Sequence, residues 1–221
     1  MAGAVNQILV TEAEYRELEA TAGRRLNLGS GAAPMQFWMN LDESEEWPAE
    51  IHAHVPPLPF DDESLDDIYC GHLIEHLTRD EARELVAECY RILTPGGRLG
   101  VLVPDTREIM KRYLAGAIDA VEYPLGTWQY VANLDHMCAM FLYSTVQPSQ
   151  HLWSYDLQTL ARLIGSAGFV DLAEMDRYTD PRIAQGAWYQ CGIDGYKPKP
   201  AAFSSEWPET FDIYTEDDNE G

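Results

Sequence analysis

The feature that most constrains this chain is a short apolar strand that runs directly into a glycine turn: Leu26-Asn27-Leu28-Gly29-Ser30-Gly31. Glycine lacks a Cβ, so the backbone there can take positive φ and approach a ligand closely. A turn of this kind after the first strand of an α/β fold commonly lines a nucleotide-type pocket. The sequence therefore predicts that residues 27–31 contact a cofactor.

The spacing after this turn narrows the choice of ligand. Only residues 32–36 separate the turn from the next apolar run, at 37–42. This interval is too short for the helix whose N-terminus would hold a diphosphate. The third glycine of the G-x-G-x-x-G pattern is also missing, because Pro34 stands in its place. A nicotinamide-dependent dehydrogenase is therefore disfavoured, and S-adenosylmethionine, which has a ribose but no phosphate, fits better.

The charge balance argues against one class of partner. The 221 residues include 15 basic and 37 acidic side chains, which gives a net charge of −22. A field of that sign repels phosphate backbones, so we expect no nucleic-acid partner. Part of the acidity is local, because residues 206–221 carry seven acidic side chains and no basic one.

The remaining composition indicates a soluble cytoplasmic protein, with a homodimer as a candidate assembly. The four cysteines are widely spaced and form no C-x-x-C pair, as is typical of reduced cytosolic thiols. No apolar run approaches the length of a membrane span, so we expect no membrane association.

Apolar periodicity and turn residues predict alternating strands and helices. The capping box Thr78-Arg79-Asp80-Glu81 opens a helix that ends at the breaker Thr94-Pro95-Gly96-Gly97. Further helices are predicted at 11–22, 106–115 and 154–168. Strands are predicted at about 24–29, 37–42, 51–55, 66–71, 98–103, 169–177 and 187–195.

These elements predict a single domain over residues 1–196, followed by a proline-containing acidic tail at 197–221. Residues 116–150 are rich in aromatic side chains and follow neither a helical nor a strand period. We interpret them as an insertion that covers the C-terminal edge of the sheet, where ligands bind in α/β folds.

Four motifs, taken in order, resemble those of class I S-adenosylmethionine-dependent methyltransferases: residues 26–31, 57–60, 66–77 and 93–97. The chain is most similar to the branch with a shortened first helix, which is often linked to glycan biosynthesis. The resemblance implies an α/β, Rossmann-like fold with a seven-stranded, mostly parallel sheet flanked by helices. It also implies an antiparallel last strand, in agreement with the two strands predicted at the end of the domain.

Further cofactor contacts are predicted at the ends of three strands. Asp42 ends the second strand, where a carboxylate can accept hydrogen bonds from both ribose hydroxyls. A solvated aspartate, with Glu43 as a substitute, is the alternative. At the exit of the fourth strand, the backbone of Cys70, Gly71 and His72 is expected to flank the methionine part, although Cys70 also fits a core thiol.

The chain departs from the methyltransferase pattern at two cofactor positions. Asn27 stands where many relatives have an acidic residue near the methionine ammonium group. His54, which precedes Val55, stands where an aspartate commonly binds the adenine amino group. Both His54 and Val55 are candidate cofactor contacts, and the two departures motivate an alternative function as a non-catalytic cofactor-binding or scaffold protein.

A candidate metal site follows the fourth strand. Residues 72–76 match the H-x-x-E-H pattern of inverted zinc proteases, but this segment lies within a methyltransferase frame, so we reject a protease. In ubiquinone O-methyltransferases a similar Glu-His pair helps to bind a divalent metal. Magnesium or another divalent cation is the candidate metal, and a structural network at a helix start is the alternative. The candidate ligands are Glu75, His76, Asp105 and Asp135.

The same edge of the sheet collects candidate catalytic histidines. His76, His136 and His151 are candidate general bases, since a histidine that titrates near neutral pH can take a proton from a hydroxyl. A core or surface histidine is the alternative for each of them. The sequence therefore predicts O-methylation of a hydroxyl of a sugar, an oligosaccharide or a similar small polar acceptor, with or without metal assistance.

Overall fold

The computed structural model describes residues 12–115, 151–176, 180, 182 and 188–200. Four α-helices are present in this part of the chain: α1 (Glu12–Ala22), α2 (Arg79–Ile92), α3 (Thr106–Leu114) and α4 (Leu157–Ser166). Seven strands accompany them: β1 (Arg25–Leu28), β2 (Met39–Asp42), β3 (Ile51–His52), β4 (Leu65–Gly71), β5 (Leu93–Pro104), β6 (Val170–Glu174) and β7 (Gln190–Tyr196).

The strands form one sheet in the order β3-β2-β1-β4-β5-β7-β6. The first five strands are parallel to one another, whereas β7 is antiparallel to both β5 and β6. The predicted seven-stranded, mostly parallel sheet with an antiparallel last strand is therefore confirmed. Because β1 to β5 run in the same direction, their C-terminal ends meet at one edge, which is the ligand-binding edge of such sheets.

The core lies mainly on one face of the sheet. Alternate residues of the central strands, such as Leu28, Cys70 and Val101, are buried against α2 and α4. The predicted capping box of α2 is present, with the Thr78 hydroxyl accepting from the amide of Glu81 and the Glu81 carboxylate accepting from the amide of Thr78. The buried residues of α2 are Ala82, Leu85, Val86, Cys89 and Ile92.

The strand β5 begins five residues earlier than the predicted strand at 98–103, so the predicted breaker forms part of it. Leu93 pairs with Leu65, and the register shifts between Leu65 and Asp67. Gly96 takes φ +87° and donates its amide to Lys197, whose own amide donates to Gly97. Residues 94–97 follow the end of α2, as predicted. Their backbone is extended, however, and forms hydrogen bonds with other segments. Lys197, the first residue of the predicted tail, is thus still paired with the sheet.

None of the helices among the described residues is long and apolar enough to cross a membrane.

Candidate functional site

The glycine turn after β1 lies at the C-terminal edge of the sheet, next to the end of β2. Gly29 and Gly31 take φ values of +70° and +50°, which side-chain-bearing residues rarely adopt. The amides of Gly29 and Ser30 donate to the carbonyl of Leu41 at 2.8 and 3.0 Å, which ties the turn to β2. A Cβ on Gly29 would lie 3.0 Å from Leu73, whereas one on Gly31 would meet nothing within 4 Å. The turn is therefore closed at Gly29 and open at Gly31.

The Asp42 carboxylate is held beside this turn. Its Oδ2 atom accepts from the Gly31 amide at 2.8 Å, and its Oδ1 atom accepts from the Ser44 amide at 2.9 Å. Each carboxylate oxygen has two acceptor sites, so both oxygens can accept one more hydrogen bond. The geometry therefore leaves Asp42 able to bind two adjacent hydroxyl groups.

The buried hydroxyl of Ser30 tests whether the glycine turn and its surroundings fit a polar ligand. Its hydroxyl is buried and has no hydrogen-bond partner among the described residues. A buried hydroxyl without a partner costs about 1–3 kcal/mol. A polar ligand bound against the turn would provide the missing partner, so the residues present fit a cofactor with hydroxyl or amino groups.

Two buried asparagines shape the turn in place of a helix. The Asn27 side-chain amide donates to Asn40 Oδ1 at 2.9 Å and to the Ala33 carbonyl at 3.3 Å. Asn40 in turn accepts from the Met35 amide at 2.7 Å and donates to the carbonyls of Met35 and Trp38. Residues 29–38, all of them described, contain no helix. The Asn27 side chain thus holds the turn through its amide group, a role that the sequence did not predict.

The other predicted cofactor residues lie at the same edge in different environments. His54 is exposed and its Nδ1 atom lies 2.8 Å from Oε1 of the exposed Glu43, while Val55 is buried. Cys70 is buried, and this burial raises the pKa of its thiol well above the usual range. Cys70 is therefore an uncharged thiol within the core, whatever contact its backbone makes with a ligand.

Beyond β4 lies Glu75, a buried carboxylate within the single 3₁₀ turn Ile74–His76. The Nδ1–H group of His72 donates to Glu75 Oε1 at 3.0 Å, and the amide nitrogen of Gln190 lies 2.5 Å from His72 Nε2. Burial raises the pKa of Glu75, but the hydrogen bond from His72 and the charges of His72 and His76 outweigh it. The net pKa is below the ordinary value, so Glu75 is ionised.

Two imidazoles lie next to this carboxylate. Glu75, His76 and His151 each offer a ligand atom, and these atoms all lie within 4.8 Å of one another. The ring centroids of His76 and His151 are 4.7 Å apart, in an edge-to-face arrangement. His151 is brought there because the following amides, those of Leu152 and Trp153, donate to the Glu75 carbonyl at 2.7 and 3.2 Å. Burial lowers the pKa of His151, which favours its neutral form.

Glu75 and His151 of this group line a small crevice between the end of β5, the start of α3 and the segment before α4. The residues that line this crevice are Glu75, Pro104, Thr106, Ile109, His151, Trp153, Ser154 and Tyr155. Trp153 is partly exposed there, with the Arg79 guanidinium 5.5 Å from its ring centroid. The crevice thus combines aromatic surface with a carboxylate and an imidazole.

The group differs from the set of metal ligands predicted from the sequence. Asp105 is buried, but its Oδ1 atom accepts from the Glu108 amide at 3.1 Å, at the start of α3, and it is not a member of the group. Asp135 and His136 lie outside the described residues. Conversely, Gln190 was not predicted at all, and the only available signal was a polar residue opening the apolar strand β7.

Comparisons of sequence and of structure show which known proteins this chain is similar to. Residues 32–101 match a family described as "Methyltransferase domain". No curated protein matches the chain in sequence. Solved structures with the same fold include a SAM-dependent methyltransferase from Thermotoga maritima, which is 18% identical, with coverage of 84% of this chain and 95% of that one and a TM-score of 0.50.

Two further structures are similar at a comparable level. The PH0226 protein of Pyrococcus horikoshii OT3 is 18% identical, covers 86% of this chain and 93% of its own, and has a TM-score of 0.50. A chain of the complex that contains the Trm112 methyltransferase activator of Haloferax volcanii is 14% identical, with coverages of 80% and 83% and a TM-score of 0.51. The domain match thus covers residues 32–101, and the three structures share the fold of this chain.

Proposed function

We propose that this protein transfers a methyl group from S-adenosylmethionine to a hydroxyl group of a sugar or a similar small polar acceptor. The observation that carries the proposal is the glycine turn with the Asp42 carboxylate hydrogen-bonded to Gly31, directly before and within the segment 32–101 that matches a methyltransferase domain. S-adenosylmethionine would supply an activated methyl group. The chain itself therefore needs to bind the cofactor and the acceptor, to orient them and to exclude water.

The cofactor is held by residues at the ends of β1 to β4. Asp42 accepts hydrogen bonds from the ribose hydroxyls, and the open side of Gly31 admits the ligand to the backbone. Ser30 gains a partner for its buried hydroxyl. His54 and Val55 contact the adenine, and Cys70, Gly71 and His72 flank the methionine part through their backbone.

The acceptor lies in the crevice bordered by Glu75, His151 and Trp153. The partly exposed ring of Trp153 offers a flat apolar surface on which the apolar face of a sugar ring can stack. A net charge of −22 disfavours acceptors with phosphate or carboxylate groups. A neutral sugar therefore suits both the charge of the protein and the aromatic surface beside this crevice.

A hydroxyl acceptor must also lose its proton, and two routes are compatible with the group at Glu75. In the first, a neutral histidine takes the proton directly, and His151 has the environment for this because burial lowers its pKa. In the second, Glu75 and His76 would hold a divalent cation, which would supply Lewis-acid chemistry at the hydroxyl. His136 then remains the candidate base. The two routes predict opposite responses to a chelator.

The test measures the formation of S-adenosylhomocysteine with a panel of neutral monosaccharides and oligosaccharides, before and after dialysis against a chelator. We expect turnover with at least one neutral sugar. Loss of turnover after chelation, with recovery on return of the metal, supports the metal route, whereas unchanged turnover supports His151 as base. Tight cofactor binding without turnover on any acceptor would contradict the enzymatic proposal and favour the non-catalytic alternative.

A further inference from the structure

We propose that Glu75, His76 and His151 bind a transition-metal dication of the zinc type, and that Gln190 and His72 position the carboxylate for it. The ligand set, two imidazoles and one carboxylate, differs from the magnesium-type set predicted from the sequence. Metal binding at this group does not depend on methyl transfer. Only the role of the metal in activating the acceptor rests on the function proposed above.

The distances among the ligand atoms of Glu75, His76 and His151 suit a metal ion if each atom moves slightly inward when the metal binds. The three ligand atoms lie within 4.8 Å of one another. In a tetrahedral site with bonds of about 2.1 Å, neighbouring ligand atoms are about 3.4 Å apart. Each ligand atom therefore has to move inward by less than about 1 Å, which a rotation of the His76 and His151 rings can provide.

The second oxygen of Glu75 is an independent observation that points to a ligand. Glu75 is 1% exposed, and its Oε2 atom has no hydrogen-bond partner among the described residues. Its Oε1 atom, in contrast, accepts from His72. An ionised carboxylate that is buried with one oxygen unpaired is costly unless a cation or a donor meets that oxygen. The arrangement leaves Oε2 as the atom that binds the metal.

The chain from Gln190 through His72 fixes the direction of this carboxylate. His72 takes φ +55°, an unusual backbone conformation for a residue other than glycine, directly after β4. In this conformation its ring reaches both Glu75 Oε1 at 3.0 Å and the Gln190 amide at 2.5 Å. Residues that hold a metal ligand in this way commonly change metal affinity by 10–100-fold when they are replaced. Gln190 is thus a positioning residue, 118 positions away in sequence from the ring that it holds.

The types of ligand select the metal. Imidazole nitrogens suit zinc, iron, nickel and copper, whereas magnesium prefers carboxylate, carbonyl and water oxygens. Three protein ligands on a tetrahedral metal leave a fourth position open, as in catalytic zinc sites. Glu75 and His151 both line the crevice, so the open position faces the proposed acceptor. The site is therefore built for binding an exchangeable oxygen ligand.

The experiment titrates the full chain, stripped of metal, with Zn²⁺ by calorimetry and with Co²⁺ by visible absorption. We expect one Zn²⁺ per chain, and a Co²⁺ spectrum with the intense d–d bands of a four- or five-coordinate site. Glu75→Gln, His76→Asn and His151→Asn should each weaken binding at least 100-fold, and Gln190→Leu by 10–100-fold. His52→Asn is the matched control, because this histidine of β3 lies outside the group and outside the proposed cofactor contacts, and it should leave the metal affinity unchanged.

The outcomes separate this inference from the function proposed above. Absence of stoichiometric binding, or equal affinity in the wild type and in Glu75→Gln, would overturn the metal site. Circular dichroism and the binding of S-adenosylhomocysteine, measured on the same variants, report on folding and on the cofactor crevice. Metal binding without cofactor binding would overturn the methyltransferase proposal and leave the metal site standing. Cofactor binding without metal binding would overturn the metal site and leave the methyltransferase proposal standing.

Discussion

At the scale of single residues, the site depends on polar side chains that find only part of their hydrogen-bond partners among the described residues. Asp42 is anchored by two backbone amides but keeps acceptor capacity, and Ser30 buries a hydroxyl with no partner among the described residues. Buried polar groups are normally satisfied, so their incomplete pairing at one edge of the sheet is evidence for a missing ligand. Glu75 adds a second such atom on the acceptor side.

Replacing Asp42 with asparagine tests the ribose contact. The change removes a charge while leaving the shape of the side chain nearly the same. A hydrogen bond to a charged group contributes about 1.5–3 kcal/mol, so the affinity for S-adenosylhomocysteine should fall by about 10–100-fold. Isothermal titration calorimetry measures this change directly.

The matched control is Glu43→Gln, because Glu43 is the neighbouring carboxylate and is exposed. It should alter the affinity by less than about threefold, as expected for an exposed pair. If Glu43→Gln weakened binding and Asp42→Asn did not, the ribose contact would belong to Glu43 instead.

At the scale of elements, hydrogen bonds from side chains hold the loops around the proposed cofactor site in place. Asn27 of β1 and Asn40 of β2 hold the turn at residues 29–38, which contains no helix. On the other side, Glu88 and Arg91 of α2 hold the segment that follows β3. Glu88 accepts from the Leu58 amide at 2.9 Å, and Arg91 donates to the carbonyls of Leu58 and Phe60 at 3.1 and 2.8 Å.

This second contact predicts a pH-dependent contribution to stability. Hydrogen bonds from Arg91 hold the pKa of Glu88 below its ordinary value despite partial burial. A carboxylate whose pKa is depressed on folding stabilises the protein above its unfolded pKa, and this contribution is lost as the pH falls through the folded value. Glu88→Gln should therefore lower the free energy of unfolding at pH 7 by about 1 kcal/mol.

Urea unfolding of the wild type and of Glu88→Gln, from pH 7 to the most acidic pH at which both stay folded, measures this difference. The difference should shrink steadily as the pH falls below about 4, near the ordinary pKa of a glutamate. Glu84→Gln, on the exposed side of the same helix, is the control and should show no such trend. A loss that is constant with pH would show that Glu88 acts by packing and not by charge.

At the scale of the whole molecule, the sheet brings together residues that are far apart in the chain. The apolar runs and the capping box are local patterns, and they were sufficient to predict the order of the elements. The direction of the last strand was implied by the resemblance to class I methyltransferases. The glycine turn and Asp42 were also predictable, because each lies at the end of a strand that the pattern identifies.

The remaining features could not be predicted, because they depend on contacts between distant positions. His151 joins Glu75 through backbone hydrogen bonds from the two residues after it, and Gln190 reaches His72 from the opposite end of the domain. Neither contact leaves a periodic signal in the sequence. The early start of β5 also depends on distant pairing, since Leu93 needs Leu65 and Gly96 needs Lys197 as partners.

The most direct test of the central claim is a calorimetric titration of the wild-type chain with S-adenosylhomocysteine and, separately, with NAD. The glycine turn, Ser30 and Asp42 offer hydrogen-bonding groups suited to a ribose, and residues 29–38 contain no helix that could bind a diphosphate. We predict one molecule of S-adenosylhomocysteine bound per chain and no measurable binding of NAD. Binding of NAD, or of neither compound, would contradict the account.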